Sequence, residues 1–141
     1  MKKARILIVE DEAITVSALK RELTTLGYEV AGSANTTDEA FRAVERYKPD
    51  LVLMDITLAG SVDGITAAVM IRGNFALPVV FLTAHADHGT IERAVHAGAF
   101  GYVLKPFSAA GLKAAIDTAL HKHGTEMENR EALKDCAASR E

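Results

Sequence analysis

Length, charge and cysteine content limit the kinds of protein that this sequence can encode. The chain has 141 residues, enough for one domain that buries roughly two thirds of the surface that the unfolded chain exposes. Cys136 is the single cysteine, which excludes an intramolecular disulfide and favours a reducing, cytoplasmic setting. The formal charge of -3 gives no electrostatic case for nucleic-acid binding, and no stretch reaches the roughly 18 apolar residues of a membrane span. We therefore expect protein or small phosphorylated partners, with no direct nucleic acid and no membrane.

Five short segments have the apolar content of β-strands. Three of them, 5–9, 51–54 and 79–82, contain continuous apolar runs, which are typical of strands buried on both faces of a parallel sheet. The segment 28–32 is less apolar and is therefore predicted to lie near a sheet edge. The last strand is predicted over 101–104.

Helical patterns separate these strands. From Ala13 to Leu26, apolar residues that include Ile14 recur at helical spacing, and Gly27 follows where a helix commonly ends. Thr36 and Glu39 form a capping-box pattern at the start of the second helix. The other three predicted helices begin near Gly64, Asp87 and Ser108. Strand and helix thus alternate five times, which predicts an α/β fold with a parallel sheet and helices on both faces.

Chemically active side chains follow the predicted buried strands. Glu10 and Asp11 end the first, Asp55 ends the central one, and Thr83 and Lys105 end the last two. Because ligands bind at the carboxyl ends of such strands, we expect these groups to converge. Clustered carboxylates repel one another, and a hard cation such as Mg²⁺ is the usual remedy. Together with a hydroxyl and an ammonium group they suit a phosphoryl group, with Asp55 the best-placed attacking oxygen.

Each of these residues has an ordinary structural interpretation when it is considered alone. Asp55 by itself is more often a helix cap or a turn residue. The acids at 10–12 could simply favour the positive end of the first helix dipole. Thr83 could be a strand-end hydroxyl and Lys105 a solvated charge. The functional interpretation therefore depends on the whole set rather than on one motif.

In this order, the motifs resemble the receiver domain of two-component response regulators. The resemblance extends from Lys2 to about His123, and it implies a flavodoxin-like (βα)5 doubly wound parallel sheet with strand order 2-1-3-4-5. It assigns residues 1–123 to the receiver domain and leaves 124–141 as a polar C-terminal tail, an extra helix or a linker. The matching residues are Glu10, Asp11, Asp55, Asp63, Gly64, Thr83, Ala84, Tyr102, Lys105, Pro106 and Phe107.

The resemblance also implies a role for each site residue. Asp55 would be the phosphoacceptor, and Mg²⁺ would be held by Glu10, Asp11, Asp55 and the backbone carbonyl of Thr57, with Glu10 acting through a water molecule. The residues that bind the phosphate or switch conformation would be Thr83, Ala84, Tyr102, Lys105 and Pro106, the last after a cis bond. Thr57 and His85 occupy positions that tune the lifetime of the phosphate. The implied partners are a sensor histidine kinase or phosphotransfer protein and a downstream protein target or fused output domain.

Two features of the sequence after Asp55 differ from the usual receiver pattern. The loop after Asp55 lacks the common proline, and Asp63 falls one residue later than usual.

A Mg²⁺-dependent phosphohydrolase with an aspartyl nucleophile is the alternative function, but such enzymes carry a second acid where this chain has Thr57. A nucleotide-binding protein is disfavoured because the first strand is followed by acids and not by a glycine-rich turn. The chain would thus catalyse only its own phosphorylation and slow dephosphorylation.

Overall fold

The computed structural model describes residues 3–56, 64–83, 92, 101–105 and 107–122. The predicted helix between Asp87 and Gly98 lies outside these residues except for Glu92, which is helical. Within the described helices, none is both long and apolar enough to cross a membrane. In chain order the elements are β1 (Arg5–Val9), α1 (Ala13–Thr25), β2 (Glu29–Ala34), α2 (Thr37–Tyr47), β3 (Leu51–Asp55), α3 (Gly64–Phe75), β4 (Val79–Thr83), β5 (Gly101–Leu104) and α4 (109–122).

The five strands form one parallel sheet in the order β2-β1-β3-β4-β5. This order confirms the predicted α/β architecture, and it places β1 and β3 side by side at the point where the strand order reverses. The acids that end these two strands therefore meet at one edge of the sheet.

Alternate residues of the central strand enter two separate apolar cores. Val52 and Met54 pack in the core that β3 forms with α2 and α3, whereas Leu51 and Leu53 pack in the core that it forms with α1 and α4. All four side chains are fully buried. Both faces of β3 are thus covered, which explains why its sequence shows no alternation of polar and apolar residues.

The edge strand β2 extends further than its sequence indicates. The predicted strand ended at Gly32, but the structure continues it to Ala34. The pairing with β1 shifts register between Ile6 and Leu7, so that Ala31 is an extra residue on β2. Beyond this irregularity Ala34 pairs with Val9, and β2 reaches the end of the sheet where the acids lie.

Local capping signals mark three of the helix ends. The Thr36 hydroxyl accepts a hydrogen bond from the Glu39 backbone N–H at 3.2 Å, which confirms the predicted start of α2. Gly27 follows α1 with a φ of 96°, a left-handed conformation that glycine adopts without strain. The Ser108 hydroxyl accepts from the Gly111 N–H at 3.0 Å and so caps α4. Ile14 belongs to the apolar pattern that predicted α1, but its side chain is 82% exposed and does not enter the core.

A hydrogen-bonded cluster fastens α4 to the start of β2. Tyr28, which is almost fully buried, donates its hydroxyl to the Asp117 carboxylate on α4. Lys113, one turn earlier, pairs with the other Asp117 oxygen at 3.0 Å and lies over the Tyr28 ring. The hydrogen bond from Tyr28, followed by Lys113, keeps the pKa of Asp117 below its usual value, and burial raises the pKa of Tyr28.

We expect Tyr28→Phe to lower the free energy of unfolding at pH 7 by about 1 kcal/mol, the worth of one ordinary hydrogen bond. Folding lowers the pKa of Asp117. The stabilisation by its carboxylate is therefore present above the pKa that Asp117 has in the unfolded chain, and it is lost as the pH falls through the pKa of the folded chain. The stabilisation by Tyr28 is complete below the pKa of about 10 that its hydroxyl has in the unfolded chain, and it is lost as the pH rises through the higher pKa of the folded chain. Urea unfolding across the pH range measures both effects. Tyr102→Phe, at an exposed tyrosine, is the control and should change stability by less than about 0.5 kcal/mol.

Candidate acidic and lysine site at the carboxyl edge of the sheet

Three carboxylates lie together at the carboxyl ends of β1 and β3. Oxygen atoms of Glu10, Asp11 and Asp55 all lie within 4.8 Å of one another. Glu10 and Asp55 are 1% and 4% exposed, whereas Asp11 is open to solvent. The structure thus brings together the three acidic side chains that the sequence predicted as metal ligands.

The backbone of the sheet fixes these acids in place. The Glu10 N–H donates to the Ala34 carbonyl at 3.0 Å, so the extended end of β2 holds the residue that follows β1. Asp55 is still part of β3 and is paired with Leu82 on β4. Main-chain pairing thus positions Glu10 and Asp55 independently of their side-chain contacts.

Lys105 joins two of the three acids. Its Nζ atom lies 2.7 Å from Glu10 Oε2 and 3.1 Å from Asp55 Oδ2. The Lys105 backbone N–H donates to the Thr83 carbonyl at 2.8 Å, which continues the pairing of β4 and β5 by one residue. A single ammonium group thus balances part of the charge of two nearly buried carboxylates.

The electrostatics of the cluster favour an additional cation. Burial is the main reason why the pKa of Glu10 rises to about 7, and the nearby Asp55 adds to this rise while Lys105 opposes it. Burial lowers the pKa of Lys105, but its hydrogen bonds to Glu10 and Asp55 outweigh this effect and raise it overall. The donor set fits Mg²⁺, since all three side chains offer oxygen ligands and their charge exceeds that of the single lysine.

The other predicted site residues fall into two groups. Thr83, at the end of β4, is 3% exposed and lies next to the carboxyl end of β3. Tyr102 pairs with Phe81 in the sheet register, and its side chain is 42% exposed. The remaining predicted site residues, Thr57, Ala84, His85 and Pro106, lie outside the described residues.

The structure adds features of this region that the sequence did not indicate. Lys105 lies on the wall of an open groove of about 520 Å³, and Ile14 and Phe107 form part of its apolar lining. Beside Glu10, the Glu12 backbone N–H donates to Glu10 Oε1 at 3.2 Å, and the Thr15 hydroxyl donates to Glu12 Oε1 at 2.6 Å. The three-residue spacing of Glu12 and Thr15, one turn of helix, was the available signal for the second contact.

Two curated relatives of the chain are named as regulatory proteins. "Transcriptional regulatory protein PdtaR" of Mycobacterium tuberculosis is 42% identical over 118 residues, which cover 84% of this chain and 57% of the relative. "DNA-binding response regulator MtrA" of Mycobacterium leprae is 33% identical over 124 residues, covering 88% of this chain and 54% of the relative. The chain thus spans little more than half the length of these relatives. MtrA is named as a DNA-binding protein. For a whole regulator, this name conflicts with the expectation that there is no nucleic-acid partner.

Two solved structures from signalling proteins share the fold. The signal receiver domain of a modulated diguanylate cyclase from Desulfovibrio desulfuricans G20 superimposes with a TM-score of 0.82 at 36% identity, covering 89% of this chain and 99% of that one. A putative response regulator from Chloroflexus aurantiacus J-10-fl gives a TM-score of 0.78 at 31% identity, covering 85% and 99% of the two chains. A sequence model described as the response regulator receiver domain matches residues 6–117. The predicted resemblance is confirmed, and the chain belongs to the receiver domain family of two-component response regulators.

Proposed function

We propose that Asp55 of this receiver accepts a phosphoryl group from the phosphohistidine of a sensor kinase or a phosphotransfer protein. Phosphorylation on an aspartate is the general role of receiver domains, which are not ordinary enzymes. The strongest support for Asp55 is its contact with Lys105, whose Nζ atom lies 3.1 Å from Asp55 Oδ2. Asp55 is also the last residue of a strand that is buried on both faces. Asp55 is the carboxylate of the cluster that combines burial, a lysine partner and rigid support from β3.

The proposed reaction is a displacement at phosphorus. An Asp55 carboxylate oxygen forms the new P–O bond while the P–N bond to the donor imidazole breaks, and the imidazole keeps the electron pair and takes up a proton. Lys105 lies where it can pair with the incoming phosphoryl oxygens, because its Nζ atom already contacts Asp55 Oδ2. The groove beside Lys105 is open to solvent and offers the donor a route to this side of the cluster.

We assign the cation site to Glu10, Asp11, Asp55 and the Thr57 carbonyl. When bound, Mg²⁺ supplies positive charge to the phosphoryl oxygens at the point where negative charge builds up. Glu10 keeps contact with Lys105 and therefore restrains the lysine beside the phosphoacceptor. Asp11 is exposed, so the cluster would be accessible to a hydrated cation without movement of the sheet.

The same proposal assigns the switch residues. Thr83 and the Ala84 amide would bond the phosphoryl oxygens after modification, and the exposed Tyr102 would then rotate inward. Pro106 would orient Lys105 through a cis bond, and Thr57 with His85 would tune the lifetime of the phosphate. The receiver would occupy residues 1–123, with 124–141 as a tail, an extra helix or a linker.

The partners of the whole protein are part of this proposal. We propose a cytoplasmic protein that a histidine kinase phosphorylates and that acts on a downstream protein target or a fused output domain. Similar receiver domains belong to proteins with different outputs, since one comes from a modulated diguanylate cyclase and one relative is named as DNA-binding. For the output, the proposal therefore names only the class of partner, a downstream protein or a fused output domain.

Incubation with acetyl phosphate and Mg²⁺ tests the proposal directly. We expect the intact mass to rise by one phosphoryl group, and chelation of the cation to slow this uptake by about 10²-fold or more because the charge on the acyl phosphate is no longer compensated. Restoring Mg²⁺ should restore the rate. A mass that stays unchanged with Mg²⁺, or uptake at the same rate in chelator, would contradict the proposal.

A further inference from the structure

Glu10 is held through both of its carboxylate oxygens. Lys105 Nζ lies 2.7 Å from Oε2, and the Glu12 backbone N–H donates to Oε1 at 3.2 Å. The Glu12 Cα atom is one bond from that nitrogen, so the Glu12 side chain starts beside the acidic cluster. A glutamate side chain is long enough to reach from there to the oxygen atoms of Glu10.

The Glu12 carboxylate nevertheless lies outside the cluster. Among the described residues, the acids whose oxygens lie within 4.8 Å of one another are Glu10, Asp11 and Asp55. Glu12 is the N-cap residue of α1, but its side chain makes no capping hydrogen bond. Instead it accepts a hydrogen bond from the Thr15 hydroxyl at 2.6 Å, which turns the carboxylate along the helix.

We propose that Thr15 is a specificity-determining residue for the cation site, because it keeps a fourth carboxylate away from Glu10, Asp11 and Asp55. With three carboxylates and open positions for water and a phosphoryl group, the site suits the small, octahedral Mg²⁺ ion. A fourth, flexible carboxylate would favour Ca²⁺, which takes more oxygen ligands in a less regular arrangement. Loss of the Thr15 hydroxyl would therefore shift the preference toward Ca²⁺. The inference rests on the proposed Mg²⁺ site, but not on phosphoryl transfer.

Calorimetric titration of Mg²⁺ and Ca²⁺ into the full chain tests this inference. We expect Thr15→Val to shift the ratio of the two dissociation constants toward Ca²⁺ by about fivefold, the population shift that the loss of one ordinary hydrogen bond permits. Thr15→Ser keeps the hydroxyl and should retain the ratio of the unchanged chain. Thr24→Val is the matched control, since the Thr24 hydroxyl donates to the Lys20 carbonyl at 2.8 Å on the same helix, away from the cluster.

A double variant separates the proposed role from a loosened helix start. Glu12→Gln combined with Thr15→Val removes the fourth charge and should return the ratio to its original value, whereas fraying of α1 would leave it shifted. An unchanged ratio in Thr15→Val, a shift in Thr15→Ser, or the absence of cation binding would overturn the inference. If both cations bind as expected and acetyl phosphate still adds no mass, the proposed function fails while the inference on Thr15 stands.

Discussion

Replacing Asp55 with asparagine is expected to abolish phosphoryl uptake from acetyl phosphate. An amide oxygen at this position is a poor nucleophile, and Glu10, the other buried carboxylate in contact with Lys105, lies at the end of β1 and not of β3. The fold should persist, because asparagine has nearly the same shape and its side-chain oxygen still accepts a hydrogen bond from Lys105. Intact mass spectrometry after incubation with Mg²⁺ and donor measures the loss.

Asp50→Asn is the control for this substitution. Asp50 immediately precedes the other end of the same strand, where its carboxylate accepts the Arg5 backbone N–H at 2.8 Å. An asparagine oxygen can accept the same hydrogen bond, so this variant should take up a phosphoryl group at the original rate. Uptake that continued in Asp55→Asn would show that another residue is the acceptor.

Replacing Lys105 with methionine is the second change with a large expected effect. Glu10 and Asp55 would lose the ammonium group that contacts both of them, at 2.7 and 3.1 Å, while remaining nearly buried. We expect the rate of phosphoryl uptake to fall by about 10²- to 10³-fold, as it does when a donor to developing negative charge is removed. Single-turnover uptake at saturating Mg²⁺ measures this rate.

Lys105→Met should also destabilise the cation-free protein. Removing one partner of a buried ion pair leaves an uncompensated charge, and we expect a loss of about 3 kcal/mol in the free energy of unfolding at neutral pH. The pKa of Glu10, already raised by burial, should rise further and absorb part of this cost. Lys20→Met, at an exposed lysine on α1, should change stability by less than about 0.5 kcal/mol. Equal uptake rates for the Lys105 variant and the unchanged chain would remove the lysine from the proposed mechanism.

The central strands and the acidic end of the sheet could be predicted because their signals are local. The run from Leu51 to Met54 is apolar since both faces of β3 are covered, and Asp55 follows where that cover ends. The strand order came from the resemblance to receivers and not from hydrophobic pattern. The pairing of strands that are distant in sequence produces no periodic pattern in one sequence. The strand order was therefore predicted from the order of the receiver motifs.

Other features could not be predicted because they depend on neighbours in space. The extension of β2 to Ala34 follows an irregular register with β1, and the backbone bond from Glu10 to Ala34 makes this extension part of the site. Ile14 fits the apolar period of α1 but lies beside the groove and is exposed. The contact between Thr15 and Glu12 joins two polar residues whose sequence gives a spacing but no orientation.

The burial of β3 gives the site its rigidity. Asp55 remains in register with β4, and the next residue continues the pairing through the Ile56 N–H, which donates to the Leu82 carbonyl at 3.2 Å. The proposed phosphoacceptor is therefore part of the sheet and not of a loop. A phosphoryl group on this residue would be held still while groups on the neighbouring β4 and β5 ends adjust to it, which is the arrangement that a two-state switch requires.

Chemical mapping of the phosphoryl group gives the most direct test of Asp55 as the acceptor. The chain is phosphorylated with acetyl phosphate and Mg²⁺, and borohydride then reduces an aspartyl phosphate to homoserine, which survives digestion and can be located by fragment masses. We predict that the reduced residue is found at Asp55 and at no other acid. Reduction at Glu10 or Asp11, or no reduced residue in chain that has gained the mass of a phosphoryl group, would contradict the proposed site.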